Sequence, residues 1–124
     1  MGNYVNIINA LAILNQQGVT YNIEKQKKHS SFSNYIELEL SNDNDQIKIG
    51  ATVLAGFGPR IVRINNFSLD FKSNQYQIVT CHKDKPGIVG QTGNLLGNHE
   101  INIASMTLGR DDKGGDALMI LSID

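Results

Sequence analysis

The run from Ala117 to Ile123 constrains the fold most. It is apolar on both faces, with Ala117, Met119, Leu121 and Ile123 alternating against Leu118 and Ile120. A strand that offers water neither face belongs in the interior of a sheet. The residues before it must therefore supply its neighbours. Tyr76 to His82 predicts one strand, which breaks at Lys83-Asp84-Lys85-Pro86-Gly87. From Pro86 to Gly97, the residues Ile88, Val89, Thr92, Leu95 and Leu96 form one stripe at helical spacing that stops at Gly97-Asn98. Pro86 suits the first helical position, where its missing N–H has no partner to lose. A strand from Ile101 to Leu108 and a turn through Asp111 to Gly115 complete a β-α-β-β order.

The first half reads as a separate module. Tyr4, Ile7, Ile8, Leu11, Ala12 and Leu14 recur at helical spacing up to Asn15, and Gly18 is a helix stop. Alternation predicts strands over Thr20 to Lys28, Tyr35 to Leu40 and Gln46 to Leu54. Arg60 to Ile64 and Phe67 to Phe71 flank Asn65-Asn66, which tolerate the backbone of a tight hairpin turn. Pairing outward sets Ile64 by Phe67, Val62 by Leu69 and Arg60 by Phe71. It also puts Arg60 and Arg63 on opposite faces and leaves Arg63 to pair with Asp70. The expectation is an α+β chain: an antiparallel sheet covered by the first helix over residues 3–73, then the β-α-β-β unit over 74–124, with the boundary at Ser73-Asn74.

Composition narrows the partners. With 11 Lys+Arg against 12 Asp+Glu, the net charge of -1 gives no basic field for a nucleic acid. No apolar run approaches the roughly 20 residues of a membrane span and no signal peptide opens the chain, so a soluble, cytoplasmic protein is expected. Met1-Gly2 before an immediately helical pattern reads as a start inside a fold. Cys81 is the only cysteine, which rules out an internal disulfide; it reads as a small buried strand residue.

No catalytic constellation stands out. Ala55-Gly56-Phe57-Gly58-Pro59 and Gly114-Gly115 lack the spacing of a phosphate or dinucleotide loop. His29, His82 and His99 lack the neighbours that a metal site needs, so no metal is expected. One group is site-like: His82, Asp84, the helix start after Pro86, and Asn102. Unpaired N–H groups at a helix start can receive a carboxylate, an acid can face the ammonium, and an amide can do both. That set suits a zwitterionic amino acid. A structural reading stands beside it, in which Asp84 favours the helix start and Asn102 caps a turn. Arg60, Arg63 and Lys72 form a second, basic cluster.

His82-Lys83-Asp84-Lys85-Pro86-Gly87, Ile101-Asn102-Ile103-Ala104 and Gly115-Asp116-Ala117-Leu118-Met119 resemble the ACT domain, a ferredoxin-like amino-acid-sensing module of βαββαβ order. By that comparison the chain stops before the last helix and strand. Tyr4-Val5-Asn6 through Gly58-Pro59-Arg60-Ile61-Val62-Arg63-Ile64-Asn65 resembles the later part of the intervening, allosteric-substrate-binding domain of long-form D-3-phosphoglycerate dehydrogenases. The resemblance implies a regulatory region that has no catalytic residues and no cofactor of its own. The parent enzyme would oxidise 3-phosphoglycerate with NAD in L-serine biosynthesis. It further implies L-serine as feedback inhibitor, held by His82, Asp84 and Asn102 between two ACT modules of a homo-oligomer, and an anion site at Arg60 and Lys72. Some members carry Asn where Asp84 stands. Two other readings remain: the regulatory part of an L-serine dehydratase β chain, and a dimerisation module that binds nothing.

Overall fold

The computed structural model describes residues 4–26, 31–73 and 76–124. Its elements are α1 (Ala10–Gln16), β1 (Ile36–Ser41), β2 (Gln46–Leu54), β3 (Gly58–Ile64), β4 (Phe67–Phe71), β5 (Gln77–Lys83), α2 (Ile88–Asn98), β6 (Ile103–Arg110) and β7 (Asp116–Ile123). The α+β class holds. Two antiparallel sheets form, ordered β1-β2-β3-β4 and β5-β7-β6.

The doubly apolar run is β7, and it lies between β5 and β6. Its two faces build two cores. Leu118 and Ile120 pack with Leu69 and Phe71 of β4, flanked by Ile61, Ile64 and Phe67. Met119 and Leu121 pack with Leu96 of α2, flanked by Ile78, Ile101, Ile103 and Ile123. Met119, Ile120 and Leu121 are almost wholly buried, and each contributes about 1.5–3 kcal/mol of hydrophobic stabilisation by that burial. The first sheet is thus covered by the second, not by a helix.

The expected first helix is shorter than its apolar pattern. Asn6 accepts the N–H groups of Ile8 and Asn9 on its side chain, and Asn9 accepts that of Asn6. This reciprocal pattern caps one turn, in which the Asn6 carbonyl accepts the Ala10 N–H at 3.0 Å, and continuous helix runs only from Ala10. Seven residues make a marginal helix. α1 buries none of its residues, and Tyr4, Ile7 and Ile8 are exposed. The strand expected over Thr20 to Lys28 is also absent: residues 20–26 are irregular and exposed, and 27–28 lie outside the described residues. Alternation alone gave Tyr21 and Ile23 no sheet neighbour to pair with.

The hairpin closes at Asn65-Asn66, with Asn65 at φ 50, and Ile64 faces Phe67 as expected. Beyond Arg63 the register slips on both sides of β3 at Val62, so Ile61, not Arg60, opposes Phe71. Such a bulge reverses the side-chain alternation. Arg60 and Arg63 therefore share a face with Ser68 and Asp70. Asp70 pairs with Arg60 at 2.7 Å, not with Arg63. Arg63 instead donates its Nε–H to the Asn65 carbonyl.

The two sheets meet along β4 and β6. The Thr107 hydroxyl donates to the Asp70 carbonyl at 3.2 Å. Gly109 is buried where the strands come closest: a Cβ on it would stand 2.8 Å from the Ser68 carbonyl oxygen and 2.6 Å from Leu69 Cδ2.

Candidate functional site

β5 delivers His82 to the end of the second sheet, opposite Ala117, and Asp84 follows in the turn. This turn is held to the one between β6 and β7. The Asp84 N–H donates to the Gly115 carbonyl at 2.8 Å. Its carboxylate accepts from Arg110 Nη1 at 3.1 Å and from the Gly114 N–H at 3.4 Å. The Gly114 N–H, then the Arg110 guanidinium, hold the Asp84 carboxyl below the usual carboxylate range. Lys83 pairs with Asp116 at 2.7 Å on the same edge.

α2 starts later than its apolar stripe suggests. Gly87 is the N-cap, at φ 94, and Pro86 precedes the cap. No side chain caps the helix, so its first N–H groups remain available to an anion. Behind them, Thr80 and His82 lie on the face of β5 that carries Ile78 towards α2. Among the described residues, Thr80 Oγ1 and His82 Nδ1 are buried atoms with no hydrogen-bond partner. Buried polar atoms ordinarily find one. Thr80 was not anticipated: one threonine in a strand pattern carries no signal of this kind.

Asn102 is elsewhere. It precedes β6, whose Ile103 opposes Ile123, whereas Lys83 opposes Asp116 at the other end of β7. The length of β7 puts roughly 20 Å between Asn102 and the Asp84 turn. The Asn102 amide donates to the Asp124 carboxylate at 2.7 Å. Within one chain, then, His82, Asp84 and the α2 start are gathered, and Asn102 is not.

Of the basic cluster, Arg60 is engaged by Asp70 and Lys72 is exposed just past β4. Arg63 reaches a cavity of ≈ 380 Å³ with Phe32, Tyr35, Leu54 and Val62, and another bordered by Lys48, Asn65 and Asn66. Cys81, expected to be buried, is exposed. β5 is an edge strand, and the first sheet covers β7 and β6 but does not reach the Val79–Cys81 face. No group of three His, Cys, Asp or Glu among the described residues could hold a metal. No helix among them is long and apolar enough to cross a membrane.

The geometry at Asp84 is that of a βαββ unit whose first turn faces its last, docked on a second sheet. A sequence profile of the D-3-phosphoglycerate dehydrogenase intervening domain matches residues 1–65, and one of the ACT domain matches residues 76–124. The chain belongs to the D-3-phosphoglycerate dehydrogenase intervening-domain family and carries an ACT domain after it. Relatives named D-3-phosphoglycerate dehydrogenase include those of Bacillus subtilis (36% identical over 97% of this chain), Synechocystis (32% over 97%) and Archaeoglobus fulgidus (29% over 100%). The chain spans 22–24% of the length of these curated relatives.

Proposed function

We propose that this chain is the amino-acid-sensing region of a D-3-phosphoglycerate dehydrogenase, an enzyme oxidising 3-phosphoglycerate with NAD, and that its effector is L-serine. The observation that carries the reading is the set gathered at the end of β5: an orphaned His82 imidazole nitrogen, the Asp84 carboxylate and an uncapped α2 start. The effector carboxylate meets the α2 N–H groups, its ammonium meets Asp84, and its hydroxyl or carboxylate meets His82. Asn102 joins from a second copy, because its own chain holds it a strand's length away. A two-fold pairing brings the far end of one sheet to the near end of the other twice over.

Calorimetry with L-serine, D-serine, glycine and L-alanine tests the ligand. A mixing experiment tests the shared site. Asp84→Ala and Asn102→Ala chains should each lose about tenfold or more in L-serine affinity, since a charge-assisted contact is worth roughly 1.5–3 kcal/mol. Mixed, they should regain tight sites, because each mixed pair holds one site with both residues intact. No recovery on mixing, or a strict monomer by light scattering, overturns the two-copy arrangement. One observation favours a rival reading, a pairing module without ligand: Arg110 already occupies Asp84. L-serine failing to bind at millimolar concentration would decide for it.

A further inference from the structure

We propose that Arg110 sets the affinity and charge selectivity of the Asp84 turn, as an internal competitor for the ammonium of the effector. The proposal rests on the reading that an amino acid binds there. Arg110 ends β6 and crosses to the turn after β5, where its Nη1 lies 3.1 Å from Asp84 Oδ2. The same oxygen takes the Gly114 N–H at 3.4 Å. An ammonium arriving at Asp84 finds that oxygen in use. It must displace the guanidinium, or share the carboxylate with a like charge.

The two partners differ in how firmly they are held. The Asp84 side chain is 22% exposed, while that of Arg110 is 58% exposed. Asp84 is anchored by its own N–H on Gly115 and by Gly114; among the described residues the guanidinium has no other partner. Arg110 is thus the member that swings away into solvent, leaving a preformed carboxylate behind. A ligand without an ammonium does not contend for that carboxylate, so Arg110 leaves its affinity unchanged. Arg110 therefore narrows the preference for free amino acids over their N-acylated forms that Asp84 alone would give.

The competition is modest, because exposed ion pairs are weak and screened by salt. Arg110→Met keeps the length of the side chain and removes the charge. It should bind L-serine about two- to fivefold more tightly than the parent chain in low salt. The gain should disappear in about 1 M salt, where screening acts within a few ångströms. Arg110→Lys should return to the parent affinity, and N-acetyl-L-serine should show no gain in Arg110→Met. Calorimetry reads all four results, and circular dichroism checks the fold. If Arg110→Met unfolds, Arg110→Gln replaces it. Affinity equal to or weaker than the parent's in a folded Arg110→Met or Arg110→Gln overturns the proposal while leaving serine binding intact. A parent chain that takes no L-serine overturns the functional reading, and the proposal falls with it.

Discussion

Gly109→Ala tests the packing of one sheet on the other. The new Cβ would meet the Ser68 carbonyl oxygen at 2.8 Å and Leu69 Cδ2 at 2.6 Å. Leu69 can rotate, but the carbonyl belongs to the β4 backbone, so β4 and β6 must part by several tenths of an ångström. That separation also loosens Leu69 and Phe71 from Leu118 and Ile120. Overpacking of this kind costs about 1–3 kcal/mol. Against it stands about 0.4–1 kcal/mol gained by restricting the unfolded chain, leaving a net loss near 1–2 kcal/mol. For a chain of 124 residues, Tm should fall by about 4–8 °C. The assay is urea and thermal unfolding followed by circular dichroism, with an unchanged urea slope showing that the folded state keeps its extent. Leu69→Ala in the same chain should relieve part of the strain and leave the carbonyl clash, so a double-mutant cycle should show partial coupling. A Gly109→Ala chain as stable as the parent would refute the close approach of the two sheets.

Three further outcomes follow from particular residues. Gly93→Ala, at mid-helix in α2 with nothing near its added Cβ, should stabilise by about 0.8–1 kcal/mol in the same unfolding assay. Leu121→Ala, at a wholly buried position between β7 and α2, should cost about 2–5 kcal/mol. That is a large share of the roughly 5–15 kcal/mol a domain has, and it should be read by urea midpoint. Asp84 titrates below its ordinary value in the folded chain. Its contribution to stability is therefore fully present above about pH 3.9 and lost as pH falls through the lower folded value. Carboxyl carbon shifts followed on acidification should show Asp84 protonating below about pH 3.9.

What the sequence made legible follows from which interactions are local. β2 and β4 ran over the residues expected, β7 proved interior, and the hairpin closed at Asn65-Asn66. Alternation, turn chemistry and a doubly apolar run are each carried by adjacent residues. The slip at Val62 was not legible, because a bulge is set by how β2 and β4 fit against β3, and it moved Arg60 onto the face of Arg63. α1 is shorter than its apolar pattern because the turn that Asn6 and Asn9 cap joins the helix through a single backbone bond, and the spacing of apolar residues does not show where an unbroken ladder begins. In the candidate site, His82, Asp84 and the helix start were legible as neighbours in sequence. Arg110 and Thr80 were not. One reaches Asp84 across 26 residues, and the other gains meaning only from the missing partner of its hydroxyl.

The two sequence modules are joined more closely than their linker suggests. Leu118 and Ile120 serve the core with β4, and Met119 and Leu121, on the same backbone, serve the core with α2. A shift of β7 towards one core withdraws it from the other, since close-packed cores yield by whole displacements more readily than by gradual deformation. β6 carries Arg110 at the Asp84 turn, with Gly109 beside it against Ser68 and Thr107 bonded to Asp70. Whatever moves Arg110 therefore acts within one residue of the contact between the sheets. An event at the end of β5 thus has a short mechanical route into the first module, through the backbone of β6 and the packing at Gly109, with no long side-chain relay required.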